Sequence, residues 1–275
     1  MAQYKLNFHV TENCNFNCKF CFARYETKEL SLEEKKQAIA KIAESGRFSE
    51  INFAGGEPFL CKGIEELILF SYNQGLKVSV ITNGFLLTND VLARILPYIS
   101  MLGISVHSFN DTTKCAIGAC TNKGEILSNQ RLTEICELIE EWNHQKKSSC
   151  QIKINTVVCK ENKEEDFLLG IDGLQGIKRW KLLRCQAFGK NQNMLISKQE
   201  YDSFCKRNQS KLVSQVFEDD MSRSYIMMNP TGDFISNPGN GKRYENVGSV
   251  FSESVELLLK KINLDETEYR QRYVS

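Results

Sequence analysis

The sequence predicts an α/β fold built on a parallel sheet. Strand and helix patterns alternate six times between Tyr4 and Leu183, and the groups able to do chemistry collect just after the strand patterns. Such alternation implies right-handed βαβ crossovers. In a parallel sheet, the C-terminal strand ends are where ligands bind. The chain has 275 residues, enough for one large domain or one domain with a smaller addition, and its 41% hydrophobic and 25% charged content is that of an ordinary globular protein.

Each element has its own signal. Tyr4 to Val10 alternates polar and apolar residues and reads as a strand. Ser31-Leu-Glu-Glu34 is a capping box opening a helix to about Glu44. Strands follow at Glu50–Phe53, Lys77–Ile81, Met101–Val106, Gln151–Val158 and Arg179–Leu183. Helices are expected at Gly63–Tyr72, Asn89–Pro97, Ile126–Trp142 and Lys163–Leu169. After about residue 190 the alternation loosens. Ser224–Met228 and Asp233–Ile235 suggest a hairpin turning at Asn229-Pro-Thr-Gly232; Gly239-Asn-Gly-Lys242 reads as a further turn and Ser252–Ile262 as a last helix. The expected organisation is a main domain over 1–190 and an extension over 191–275 that closes it.

A formal charge of +1 argues against broad attraction to nucleic acid or membranes, while leaving room for a basic pocket. No apolar run is long enough to span a bilayer and Met1 leads straight into a strand, so a cytoplasmic protein is expected. Eleven cysteines is an odd count with irregular spacing beyond the first three. In a reducing compartment Cys61, Cys115, Cys120, Cys136, Cys150, Cys159, Cys185 and Cys205 are expected to be small buried hydrophobes or ordinary thiols.

The first three cysteines differ. Cys14, Cys18 and Cys21 lie in Cys-Asn-Phe-Asn-Cys-Lys-Phe-Cys, directly after the first strand. An electron-transfer cluster takes four thiolates, so three on one loop leave an iron with an open position. The alternative is a structural zinc knot completed by His9 or another cysteine, although zinc sites usually show C-x2-C pairs. The second strand runs into Gly55-Gly56-Glu57-Pro58. Adjacent glycines let the backbone approach a ligand closely, and a carboxylate beside them can accept from an ammonium group. Alone, the same residues could be a strand-to-helix turn. Lys153 with Asn155, and Arg179 with Lys181, are spaced two apart on successive strands, so each pair shares a face. Cations inside a sheet need an anion. A polyphosphate would serve, gripped by Arg and Lys; Glu or Asp partners are the alternative.

The triplet with Phe20, followed one βα unit later by Gly-Gly-Glu-Pro, resembles the signature of the radical S-adenosylmethionine superfamily. Within it, the chain is most similar to the viperin family and its prokaryotic relatives. That similarity runs through Asn7-Phe-His9, the triplet with Phe22, Ile51 to Leu60, Ser79 to Gly84, Lys153-Ile-Asn-Thr-Val157, Arg179-Trp-Lys181 with Cys185 and Gln186, and Ser224-Tyr225. The resemblance implies a partial (β/α)6 barrel and one 4Fe-4S cluster on Cys14, Cys18 and Cys21. It implies S-adenosyl-L-methionine bound by Gly55, Gly56, Glu57, Asn83 and Ser105, and a nucleotide bound by Asn7, Lys153, Asn155, Arg179 and Lys181. The reaction implied is dehydration of a ribonucleoside triphosphate of the CTP, UTP or GTP class to its 3′-deoxy-3′,4′-didehydro analogue. Tyr225 would deliver the last electron and proton, unless it is simply a packed tyrosine near a hairpin. His9 is a candidate substrate contact or a structural strand histidine. A flavodoxin or ferredoxin as electron donor, a monomeric state and an antiviral role follow from the same kinship.

The chain departs from animal viperins in having Glu50 for a Lys, Ala54 for a Ser, and Ala119-Cys120 near their Arg-Gly pair. Lys123, Lys190, Lys242 and Arg243 are candidates to compensate. The competing readings are a radical enzyme acting on another phosphorylated or peptide substrate, and a non-catalytic iron–sulfur redox sensor. Turnover of nucleotides separates the first, and formation of 5′-deoxyadenosine the second.

Overall fold

The computed structural model describes residues 4–23, 28–188, 191–237 and 244–273. The strands are β1 (Tyr4–Thr11), β2 (Phe48–Gly55), β3 (Lys77–Thr82), β4 (Ile99–Ser105), β5 (Gln151–Val158), β6 (Ile177–Arg184), β7 (Ser214–Glu218), β8 (Ile226–Met228), β9 (Asp233–Ser236) and β10 (Glu245–Ser249). The helices are α1 (Leu32–Glu44), α2 (Ile64–Asn73), α3 (Asn89–Ile95), α4 (Asp111–Ile117), α5 (Asn129–His144), α6 (Leu168–Asp172), α7 (Lys198–Arg207), α8 (Val255–Lys261) and α9 (Glu266–Tyr273). Contacts group the chain into two compact units: Met1–Cys14, Ala23–Val80 and Met221–Ser275 form the first, Asn15–Phe22 and Ile81–Asp220 the second. The segment after 190 therefore contributes to both.

In the first unit the strand order is β10-β9-β8-β1-β2-β3. Strands β8, β1, β2 and β3 are parallel, and β9 and β10 add an antiparallel edge. Period-two alternation gives β1 two faces. Leu6, Phe8 and Val10 are fully buried on one; Lys5, Asn7, His9 and Thr11 occupy the other and are buried as well. A polar row crosses that second face in register: Asn52 Nδ2 donates to Asn7 Oδ1 at 3.1 Å, and Ser79 Oγ donates to Asn52 Oδ1 at 2.9 Å. Helix α1 begins with the expected capping box, the Ser31 side chain accepting from Glu34 N and the Glu34 carboxylate from Ser31 N.

In the second unit β4, β5, β6 and β7 lie in that order, all parallel. Ile152, Ile154, Thr156 and Val158 of β5 and Trp180 and Leu182 of β6 face an apolar layer and are fully buried. The Trp180 indole donates to Thr156 Oγ1 at 3.0 Å, which gives its only polar atom a partner. Tyr201 of α7 joins the last two strands, donating to Leu182 O at 2.9 Å and accepting from Glu218 N at 3.0 Å.

The fold is the expected α/β arrangement, with an open strand order in each unit rather than a closed barrel. Helices α4, α7 and α9 and strands β7 and β10 are additions to the expected set. Helix α5 starts at Asn129 because the Ser128 side chain caps it, accepting from Arg131 N, and α8 starts at Val255 because Ser254 does the same. The helix expected at 163–169 lies slightly later, as α6. The hairpin turn at Asn229 forms, with Gly232 N bonded to Asn229 O and Asn229 N to Asp233 O. Its first arm, β8, also pairs in parallel with β1, which a hairpin pattern alone does not suggest. The expected turn at 239–242, and Lys190, Lys242 and Arg243, lie outside the described residues. Among the described residues no two cysteines are joined by a disulfide. Among the described residues no helix is long and apolar enough to cross a membrane.

Burial holds two histidines far from their usual titration range. His9 on β1 and His107 after β4 are each lowered to about 4 by desolvation of the charged form. His107 Nδ1 accepts from Val157 N at 3.1 Å, so the neutral ring is the form this backbone contact uses. The unfolded chain takes up protons at pH values where the folded chain does not. Stability therefore falls as pH drops from the unfolded value near 6.5 towards 4, by roughly 2 kcal/mol per histidine between pH 7 and pH 5. Urea unfolding at the two pH values measures this, and His107→Phe is expected to remove about half of the difference.

Candidate active site

In the first unit the ends of β1 and β2 run against each other. Gly56 N donates to Thr11 O at 2.7 Å and Glu57 N to Asn13 O at 2.8 Å. A Cβ on Gly55, whose φ is +124°, would lie 2.4 Å from Thr11 O; one on Gly56 would lie 2.2 Å from Asn13 O and 2.6 Å from Asn13 C. These neighbours are backbone and cannot swing away, so the pair of glycines is a steric requirement. Glu57 is fully buried, and its carboxylate caps the single 3-10 turn Pro58–Leu60 by accepting from Phe59 N at 3.2 Å. Cys14, just beyond Asn13, is exposed.

The second unit holds the rest of the cysteine segment, with Cys18 and Cys21 partly exposed. The segment is stitched to the end of α4: Asn17 N donates to Gly118 O at 3.0 Å and Lys19 N to Ile117 O at 2.9 Å. Gly118 (φ +86°) ends α4 in the left-handed region, and a Cβ there would stand 2.3 Å from Asn17 O. Phe16 and Phe20 anchor the segment in a cluster with Ile117, Ala119, Cys159, Cys185 and Met194. Phe20 also meets the His107 ring edge-on, centroids 4.8 Å apart. Burial pushes the Cys159 and Cys185 thiols up to about 12, so these two are packing groups. Asn83, after β3, donates from Nδ2 to Asn15 Oδ1 at 2.8 Å while its Oδ1 accepts from Phe85 N at 3.0 Å. Ser105, at the end of β4, lines a small cavity with Phe16, His107 and Leu127.

Register brings the expected substrate residues of this unit together. Lys153 lies opposite Arg179, Asn155 opposite Lys181, and Ser105 opposite Asn155, all on one face by strand alternation. Glu218 on β7 makes a buried ion pair with Lys181, which offsets one cation of this face from within the protein. The Asn155 amide nitrogen is buried with no hydrogen-bond partner among the described residues. An unmet donor of this kind costs free energy unless a ligand accepts from it.

In the first unit Asn7 is already occupied: its Nδ2 donates to Ile226 O and to the Tyr273 hydroxyl, both at 3.2 Å. Tyr225 accepts from Arg272 Nη1 at 2.7 Å, with the guanidinium carbon 4.4 Å from its ring centroid. Helix α9 thus covers the polar face of β1, Tyr269 OH also accepting from Lys5 N at 2.6 Å.

Four contributors escaped sequence reading. Glu29, Gly118, Asn162 and Glu218 belong to no motif. Asn162 is fully buried and completely satisfied: Nδ2 donates to His107 O at 2.7 Å and Val157 O at 2.9 Å, and Oδ1 accepts from Cys159 N at 2.8 Å. Only Gly118 had a signal, a lone glycine at a helix end. Among the described residues, no group of three or more His, Cys, Asp or Glu side chains is gathered as a metal site. By donor chemistry, cysteines spaced C-x3-C-x2-C supply the thiolates an iron–sulfur cluster takes, and Gly55 and Gly56 leave bare backbone beside the end of β1.

A family model described as the Radical SAM superfamily matches residues 8–168. An S-adenosylmethionine-dependent nucleotide dehydratase of Selenomonas ruminantium is 36% identical over 98% of both chains, and one of Flammeovirga pacifica 32% identical over 87% of this chain and 84% of its own. The S-adenosylmethionine-dependent nucleotide dehydratase RSAD2 of Danio rerio is 29% identical over 97% of this chain and 76% of its own. The crystal structure of Streptococcus suis SuiB bound to S-adenosylmethionine shares the fold, with a TM-score of 0.67 at 14% identity over 98% of this chain and 68% of that one. This chain is therefore an enzyme of the radical SAM superfamily and belongs to its family of S-adenosylmethionine-dependent nucleotide dehydratases.

Proposed function

We propose that this enzyme dehydrates a ribonucleoside triphosphate of the CTP, UTP or GTP class to the 3′-deoxy-3′,4′-didehydro nucleotide. Cys14, Cys18 and Cys21 would hold one 4Fe-4S cluster, and Gly55, Gly56, Glu57, Asn83 and Ser105 would hold S-adenosyl-L-methionine. Bound there, the two groups would supply a 5′-deoxyadenosyl radical able to take hydrogen from the ribose 4′ carbon. The relatives' names support a nucleotide substrate, and the spacing of the cysteines supports the cluster.

The observation that carries the substrate reading is the row Lys153, Asn155, Arg179 and Lys181 on one face of β5 and β6, with the Asn155 amide nitrogen buried and unmet. Glu218 balances Lys181, so Arg179 would carry the greater part of the phosphate recognition. Arg can grip two phosphate oxygens while Lys acts as a point charge. Asn155 Nδ2 would donate to a nucleotide oxygen. On the first unit's polar face, Asn7 would exchange its bond to Tyr273 for one to the nucleotide. Tyr225, its hydroxyl oriented by Arg272, would pass a proton to the departing 3′-hydroxide to make water and an electron to the nucleotide, the external electron donor then re-reducing the tyrosyl radical. For the rest, the protein's work is positioning, because a radical abstracts the hydrogen nearest to it.

Anaerobic incubation of the reduced, reconstituted protein with S-adenosylmethionine and each of the four ribonucleotides tests this. The expected result is 5′-deoxyadenosine together with a nucleotide lighter by one water from CTP, UTP or GTP. Deoxyadenosine without a dehydrated nucleotide would leave the family in place and overturn the substrate. Arg179→Ala is expected to weaken triphosphate binding about tenfold or more, with little effect on the unphosphorylated nucleoside, in equilibrium dialysis. Gly56→Ala drives a Cβ into the Asn13 backbone. Its affinity for S-adenosylmethionine should fall at least tenfold, while far-ultraviolet circular dichroism stays that of the native fold.

A further inference from the structure

We infer that Glu29, paired with the buried Lys35, is a positioning residue that sets the geometry of the Gly55–Glu57 turn and of the strand end leading into Cys14. The inference rests on the proposed cofactor role of that turn. Glu29 follows the cysteine segment in sequence and returns to its beginning. Its Oε1 accepts from Thr11 Oγ1 at 2.6 Å, Glu12 N at 3.0 Å and Asn13 Nδ2 at 3.2 Å. Thr11 Oγ1 in turn accepts from Asn13 N at 3.1 Å. The carbonyls of these same residues, Thr11 and Asn13, take the Gly56 and Glu57 amides. Glu29 is thus one residue removed from the two hydrogen bonds that shape the glycine turn.

The other carboxylate oxygen explains why an acid stands here. Lys35 Nζ, on α1, lies 3.6 Å from Glu29 Oε2 and 3.2 Å from Cys61 Sγ, with a side chain only 5% exposed. A buried ammonium needs a compensating charge, and Glu29 supplies it. Cys61 closes the 3-10 turn that follows Glu57. Lys35 therefore touches the end of the 3-10 turn after Glu57, while Glu29 is linked through Thr11 and Asn13 to the glycine turn before it. Bringing the segment's two ends together also costs chain entropy, which charge-assisted bonds to backbone and hydroxyl offset.

The division of labour between the two oxygens gives the test. In Glu29→Gln a carbonyl oxygen keeps the acceptor position facing Thr11, Glu12 and Asn13; Glu29→Ala removes it. Glu29→Ala/Lys35→Met removes the acceptor and the uncompensated ammonium together. With the anaerobically reconstituted full chain, we expect Glu29→Ala to raise the Kd for S-adenosylmethionine tenfold or more at unchanged iron content. Glu29→Gln should stay within about threefold. In the metal-free chain, amide hydrogen exchange at Gly56 and Glu57 should speed up in Glu29→Ala but not in Glu29→Gln. The double variant should recover thermal stability but not affinity. Wild-type affinity in Glu29→Ala, or affinity that returns with stability in the double variant, would overturn the inference by reducing Glu29 to a structural counter-ion. A wild-type chain that binds no S-adenosylmethionine would overturn the proposed function, and this inference with it.

Discussion

Beyond their last paired residues, β1 and β2 stay so close that the second strand has no room for a side chain. The two amides of Gly56 and Glu57 are spent on the carbonyls of Thr11 and Asn13, and a Cβ at Gly55 or Gly56 would collide with that same backbone. From this contact follow the placement of Glu57 in the interior, the start of the short turn after it, and the direction in which the chain leaves towards Cys14. A parallel ladder delivers strand ends side by side, and here the glycines convert that proximity into a rigid corner.

The same sheets bury much more polar matter than a stability argument alone would favour. Lys5, Asn7, His9, Asn52 and Ser79 in the first unit, and Asn155, Lys181 and Glu218 in the second, are all withdrawn from solvent. Most are hydrogen-bonded or ion-paired to one another in register, which limits the desolvation cost. Asn155 is where that internal compensation stops short. A polar face that is nearly, but not wholly, satisfied by its own residues is suited to a ligand that completes it. The opposite faces, built from Leu6, Phe8, Ile152, Ile154 and Trp180, carry the hydrophobic stabilisation.

Much of this was legible in the chain before any coordinates. Period-two alternation located β1 and β5, the Ser31–Glu34 box located α1, and the glycine pair announced a close approach. Residues sharing a strand, such as Lys153 with Asn155, could be assigned to one face by counting. What sequence could not give was partnership across strands. Nothing near Glu218 links it to Lys181, because the register of β6 with β7 decides that, and β7 itself is too short and too polar to stand out. Glu29 carries no signal in the sequence, since its partners lie at a strand end many residues earlier. Helix α9, with its almost evenly spread polar residues, had no apolar stripe to reveal it; Tyr269 is its buried contact.

Strand β7 closes its row through a side chain as well as through its ladder. The Tyr201 hydroxyl reaches from α7 to Leu182 O and Glu218 N, tying helix and edge strand into one cooperative unit. A nascent chain paused before α7 has docked would present β6 with a bare row of donors and acceptors, a template for another polypeptide. The Tyr201 phenol is thus one of the contacts that keep β7 seated along the β6 edge.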